Sequence, residues 1–266
     1  MRMLLDEVRA LWAARGLVWV LAKREISARH AGSVAGAVWA YLPPLLTVAA
    51  YYLVFDVVFA MRLGEQAPVR SVGAYLIVGS LPWMAFCDSI SRATNSLIDA
   101  GSLLQKNPLP PALFPARTVV ASAVIFGPLI ALMTLAYAPM HRFSPALVAL
   151  LPLALLQVVL CWLLGYLLAV CAAALRDVTA IVGFVLSVGI YLSPVLFPAS
   201  MFPAAWAWVL WLNPMAPLVG GYQSVVLSGQ WPQWSTWIVT LAWITLTALL
   251  LDKVVKRSQE QLVDWL

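Results

Sequence analysis

Residues 178–251 run for 74 positions without an aspartate, glutamate, lysine or arginine. A soluble domain carries roughly one charged residue in four, so such a stretch cannot form a water-facing surface. Two pieces of it, about 179–196 and 234–251, approach the ~20 apolar residues that cross a hydrocarbon core. The rest is interrupted by Pro194, Pro198, Pro203, Pro214, Pro217 and Pro232. The resulting fragments, such as 204–212 and 219–227, are too short to cross alone and too apolar for a free loop. Broken backbone at membrane depth persists only where protein buries it or a wet cavity accepts it. Residues 197–231 are therefore predicted to form a re-entrant helical hairpin that enters the bilayer from one side and returns.

The remainder of the chain belongs to the same class. Of 266 residues, 63% are hydrophobic and 10% charged, more apolar surface than one soluble core can hide. Further spans are predicted at about 36–61, 72–90 (extending toward 97), 119–138 and 145–175. The expected fold is an all-α integral membrane protein with six transmembrane helices and the re-entrant hairpin between spans five and six. Residues 1–30 have apolar positions near a helical period with charges between them, predicting an amphipathic segment lying in the headgroups, broken near Arg15 and Gly16. The transmembrane unit then covers 31–252, and 253–266 form a tail. The segment 99–117, DAGSLLQKNPLPPALFPAR, holds four prolines that exclude one continuous helix, although 99–106 can form a short one.

With six crossings, thirteen of the sixteen lysines and arginines collect on one side; only Arg62, Arg70 and Arg142 fall on the other. The positive-inside bias then puts both termini in the cytoplasm and the hairpin at the outer face. The chemistry of an enzyme is missing. The two histidines, His30 and His141, fall on opposite sides, no phosphate-cradling Gly-x-x-x-x-Gly-Lys is present, and no metal-ligand spacing occurs. Cys87, Cys161 and Cys171 sit in apolar runs and read as small buried hydrophobes. No basic run interleaved with aromatics points to nucleic acid. The intramembrane ionisable candidates are Asp56, near the outer end of the first span, and Asp88, with Arg92 one helical turn later. Both read more readily as interfacial or locally paired groups than as a proton relay. Thirteen tryptophans, seven of them between 206 and 243, exceed what headgroup anchoring requires. Flat rings with a polar N–H or O–H also suit sugar faces, which makes Tyr191, Trp206, Trp208, Trp211 and Tyr222 candidates for a channel or outer gate.

Several segments carry a family resemblance: RHAGSVAGAVWAYLPPLL from Arg29, GSLPWMAFCDSISRATNSLI from Gly79, NPLPPALFPAR from Asn107, LRDV from Leu175, SPVLFP from Ser193, LNPMAPL from Leu212 and YQSVVLSG from Tyr222. Together they resemble the membrane subunit of ABC-2 type exporters, specifically the permeases that export polysaccharide such as O-antigen, teichoic acid or capsule. Two departures stand out: Ala35 precedes Gly36 where leucine is usual, and Gln223 follows Tyr222 where arginine is common. The resemblance implies a bacterial inner-membrane subunit that pairs as a homodimer and docks two separate ATPase subunits. ATP and Mg would be bound there, with no cofactor in this chain. Asp99, Gly101, Leu103, Leu104 and Lys106 would form the coupling helix that receives the ATPase stroke. The cargo would be a lipid-linked glycan, whose pyrophosphate head group Arg24, Arg29 and His30 are placed to attract at the cytoplasmic interface. Rival readings are an ABC-2 permease for a drug or small lipid, a membrane-embedded transferase for lipid-linked sugars, and an ion-gradient transporter.

Overall fold

The computed structural model describes residues 2–29, 32–33, 36–63, 71–107, 109–206, 208–258 and 261–265; His30 and most of the loop from Arg62 to Arg70 lie outside the described residues. Among these residues the regular elements are helical, with one isolated bridge between Arg62 and Ser71. Two helices open the chain, α1 (Arg2–Ala13) and α2 (Arg15–Ala28), separated at Ala14. The first candidate span, Val38–Val58, joins a 3-10 turn to α3 (Leu42–Tyr51) and ends in a wider π-helical stretch, Tyr52–Val58. Next come α4 (Val72–Asp99), the short α5 (Gly101–Lys106), α6 (Leu113–Tyr137) and α7 (Leu150–Ala174). The last third holds α8 (Asp177–Gly189), α9 (Val209–Leu212), α10 (Ala216–Ser228), α11 (Trp234–Ser258) and α12 (Leu262–Trp265).

Among the described residues, five helical spans are long and apolar enough to cross a membrane: Val38–Val58, Val72–Asp99, Leu113–His141, Pro145–Ala174 and Trp234–Ser258. The expected span at 179–196 is shorter in the structure. Its helix and a following 3-10 turn end at Leu192, because Ser193, pushed to extended backbone by Pro194, cannot continue a helix. Other boundaries move the opposite way. The third span begins at Leu113 rather than 119, with Pro115 in its first turn, where a missing N–H costs nothing. For the same reason α10 starts at Ala216 although Pro217 follows.

The hub is α4, whose apolar window is 83% buried within the protein, against 6% for the first span. At the Tyr75 end its Tyr75, Val78 and Leu81 pack with Ile125, Leu129 and Val226. Midway, Trp83, Phe86 and Ile90 meet Leu153, Leu160, Leu218 and Tyr222. At the Asp99 end, Leu97 joins Leu104, Phe114, Tyr166, Leu251 and Val255. Thus α6, α7 and α10 pack directly on α4, α11 joins the bundle through α7 and α10, and the first span and α8 touch α4 more lightly at the margin.

Candidate functional site

The Asp99 end of α4 holds a cavity of about 800 Å3, lined by Glu25, Ala28 and Arg29 from α2, residues from Cys87 to Asp99 on α4, and Arg117 and Thr118 from α6. Helical spacing builds it. Glu25 and Arg29 are one turn apart on α2, Asp88 and Arg92 one turn apart on α4, and the two pairs face each other. The Arg29 guanidinium donates through Nη1 to Asp88 Oδ2 at 3.1 Å and through Nη2 to Glu25 Oε1 at 3.3 Å. Arg92 Nε donates to Asp88 Oδ1 at 2.7 Å. Arg117 Nε lies 3.5 Å from Glu25 Oε2, with its guanidinium over the Phe114 ring.

The groups differ in access. The Arg29 side chain is only 6% exposed, whereas Arg92 is 43% exposed. A nearly buried guanidinium is tolerable only when carboxylates surround it, and Arg29 has two. It therefore ties α2 to α4. Three arginines and three carboxylates line the cavity, Asp99 being the exposed carboxylate at its rim, so the charges of the described lining residues balance. The guanidinium groups that still reach open space are those of Arg92 and Arg117, and charge-assisted N–H donors of this kind can serve phosphate oxygens.

The sequence-predicted residues divide as follows. Arg29, Asp88, Arg92 and Asp99 come together in the cavity; Arg24 is exposed on α2 and is not among its lining residues, and His30 lies outside the described residues. Glu25 and Arg117 were not anticipated. The i,i+4 spacing of Glu25 to Arg29 was the available signal for one; Arg117 was hidden behind the prolines. Beyond Asp99, α5 has Gly101 and Leu104 buried and Leu103 and Lys106 exposed. Asp56 is more than an interfacial charge. It accepts from Ser71 Oγ at 2.8 Å and from the Gly73 N–H at 3.1 Å, at the N-terminus of α4.

Among the aromatics, Tyr191, Trp206, Trp208 and Trp211 are exposed, and the Trp206 and Trp208 rings stack at 6.3 Å. Tyr222 is fully buried against the middle of α4 and α7. A second cavity, of about 450 Å3, lies between the segment after Ser193, α10 and α11, with Trp211 on its wall.

A multi-span helical protein with a charged cavity at one end and an uncharged one elsewhere has the form of a membrane transport subunit. The chain belongs to the ABC-2 type transporter family, whose model matches residues 16–227. It is 31% identical over 231 residues to the O-antigen export system permease protein RfbA of Myxococcus xanthus, covering 85% of each chain. A Klebsiella pneumoniae protein of the same name is 26% identical over 216 residues, covering 80% of this chain and 81% of the relative. The inner membrane transport permease YadH of Escherichia coli K12 is 25% identical over 192 residues, covering 68% and 73%. Membership implies an ABC ATPase as partner.

Proposed function

We propose that this chain is the permease subunit of an ATP-driven exporter that carries a lipid-linked polysaccharide of the O-antigen, teichoic acid or capsule kind outward across the bacterial inner membrane. The observation that carries the reading is the 31% identity across 85% of an O-antigen export permease. In this reading two copies pair, two ATPase subunits bind ATP and Mg beneath them, and both termini face the cytoplasm. The chain crosses six times, the short Asp177–Leu192 segment being one crossing, with 197–231 as the re-entrant outer gate. The α5 helix receives the ATPase stroke through Gly101, Leu103, Leu104 and Lys106, together with Asp99 at the end of α4.

The charged cavity then opens toward the cytoplasmic leaflet, where the diphosphate of a lipid carrier lies. Arg29, held by Glu25 and Asp88, positions the cavity wall. Arg92 and Arg117 supply the guanidinium N–H groups for the phosphate oxygens, and Arg24, exposed on α2, adds positive potential at the interface. ATP-driven movement of α5 and α2 would release the head group while the sugar chain passes over the exposed aromatic surfaces of Tyr191, Trp206, Trp208 and Trp211; Tyr222, fully buried in the core, has no part in that path.

The test is to delete the chain in its native host and examine surface and intracellular polysaccharide, together with affinity purification of the tagged protein. The expected result is loss of surface glycan, accumulation of lipid-linked glycan inside, and recovery of an ATPase subunit in equal amount. Unchanged surface glycan with loss of tolerance to a drug would instead favour a small-molecule cargo.

A further inference from the structure

We propose that the second cavity is a binding subsite for uncharged sugar residues of the glycan, which makes the preferred cargo neutral at this point of its route. This rests on the polysaccharide-export reading above. The cavity's 450 Å3 lies within the roughly 300–1,000 Å3 typical of small-molecule sites. Among the described residues none of its lining side chains is charged, in contrast to the cavity at the Asp99 end. The polar groups are hydroxyls and amides: Ser200, Ser224, Ser235 and Thr236, with Gln223 and Gln233. Trp211 supplies an aromatic wall, and its carbonyl is held by the Trp243 indole N–H at 3.1 Å.

That combination selects a ligand class. A phosphate or carboxylate buried here would find no cation to offset its desolvation. An acyl chain would strip water from the amides and hydroxyls without replacing their hydrogen bonds. A sugar ring offers C–H faces for the indole and hydroxyls that both donate and accept.

The floor is fixed before any ligand arrives. The Pro194 carbonyl accepts from Tyr75 Oη at 2.9 Å and from Gln223 Nε2 at 2.8 Å, and both side chains are almost fully buried. Gly79 on α4 makes room for that amide: a Cβ there would come within 2.7 Å of Gln223 Nε2 and 3.2 Å of Val195 Cα. Two helices thereby hold the broken segment after Ser193 in one place, and the cavity keeps its shape.

The experiment uses the purified permease–ATPase complex in nanodiscs, titrated with maltohexaose as neutral probe and hexagalacturonate as anionic probe, followed by saturation-transfer NMR. Cells carrying the same variants are assayed for surface polysaccharide. Maltohexaose is expected to bind and hexagalacturonate not to bind. Trp211→Ala and Gln233→Ala should each weaken maltohexaose about tenfold and reduce surface polysaccharide, with Trp211→Phe partly restoring both. Trp234→Ala, outside the cavity, should change neither. The Gln233 side chain makes one exposed contact, accepting from Ser235 Oγ at 3.5 Å, and its backbone carbonyl still accepts from the Thr236 N–H in an alanine variant, so this variant disturbs folding little. Binding of both probes alike, failure of wild type to bind maltohexaose, or unaltered binding and surface polysaccharide in the variants overturns the subsite while leaving the exporter intact. Unchanged surface polysaccharide on deleting the whole chain overturns the exporter reading itself.

Discussion

At the scale of single residues, the charged cavity makes an unequal prediction for its two i,i+4 partners on α4. Asp88 accepts from both Arg29 and Arg92, so Asp88→Asn leaves a nearly buried guanidinium with one carboxylate instead of two. A loss of about 2 kcal/mol is expected, the scale of a hydrogen bond to a charged group. Arg92→Gln removes a half-exposed partner and should cost less than about 1 kcal/mol. Thermal unfolding of the detergent-solubilised protein, followed by tryptophan fluorescence, distinguishes them; equal losses would mean that Asp88 is not the centre of the network. Glu7 on α1 gives a pH-dependent counterpart. Burial raises its carboxyl above the ordinary glutamate value, and a hydrogen bond with the Ala112 backbone pulls it only partly back. A raised acid favours the folded state when protonated, so its contribution is full below the unfolded value and fades as pH rises through the folded one. Glu7→Gln should therefore flatten the fall of melting temperature between mildly acidic and neutral pH and leave the variant slightly more stable at neutrality. A steeper fall in the variant would contradict this.

At the scale of elements, the N-terminus of α4 is held by a residue from the preceding span. Ser71 Oγ accepts from the Ala74 N–H and donates to Asp56, which also takes the Gly73 N–H. A Cβ on residue 73 would lie 2.5 Å from Asp56 Oδ2, so the glycine is what allows the carboxylate this close. Asp56→Ala and Gly73→Ala should each cost about 1 kcal/mol, the scale of a lost cap. Because both remove the same contact, the double variant should cost little more than either alone, which a thermal double-mutant cycle measures. Additive losses would show that the two residues act separately. Such a bond joins positions 17 apart and leaves no mark on local periodicity. The apolar runs themselves were legible, since hydropathy over twenty residues responds to the solvent and not to tertiary detail. Proline was the weaker guide. Pro115 and Pro217 read as breaks yet occupy first turns, and Pro82 and Pro128 lie inside α4 and α6. The charged site was half legible: each i,i+4 pair is local, but the meeting of Arg29 with Asp88 spans 59 positions and depends on how α2 lies across the bundle.

At the scale of the whole molecule, the two cavities lie toward opposite ends of α4, and the protein between them is filled. Trp83, Phe86, Leu153, Leu160 and Tyr222 are buried there at 4% exposure or less, packed in one apolar cluster. A polar sugar chain threading that interior would have to displace a close-packed core, which resists even single-methylene changes. The route proposed for the glycan would therefore lie outside the helical core of one copy, at the surface that the proposed pair would share. The first span fits that role: only 6% of it is buried, and Leu53 and Val57 on its π-helical end are more than half exposed. A two-fold contact would set the same face of both copies together. In a variant with Cys87, Cys161 and Cys171 replaced by alanine, single cysteines at Leu53 or Val57 should cross-link in native membranes under mild oxidation. The product should run at twice the 29.0 kDa chain. A cysteine at Leu241, equally exposed but on α11, should remain monomeric. Cross-linking confined to Leu241, or none along the first span, would place the pairing face elsewhere and remove the first span from the glycan's path.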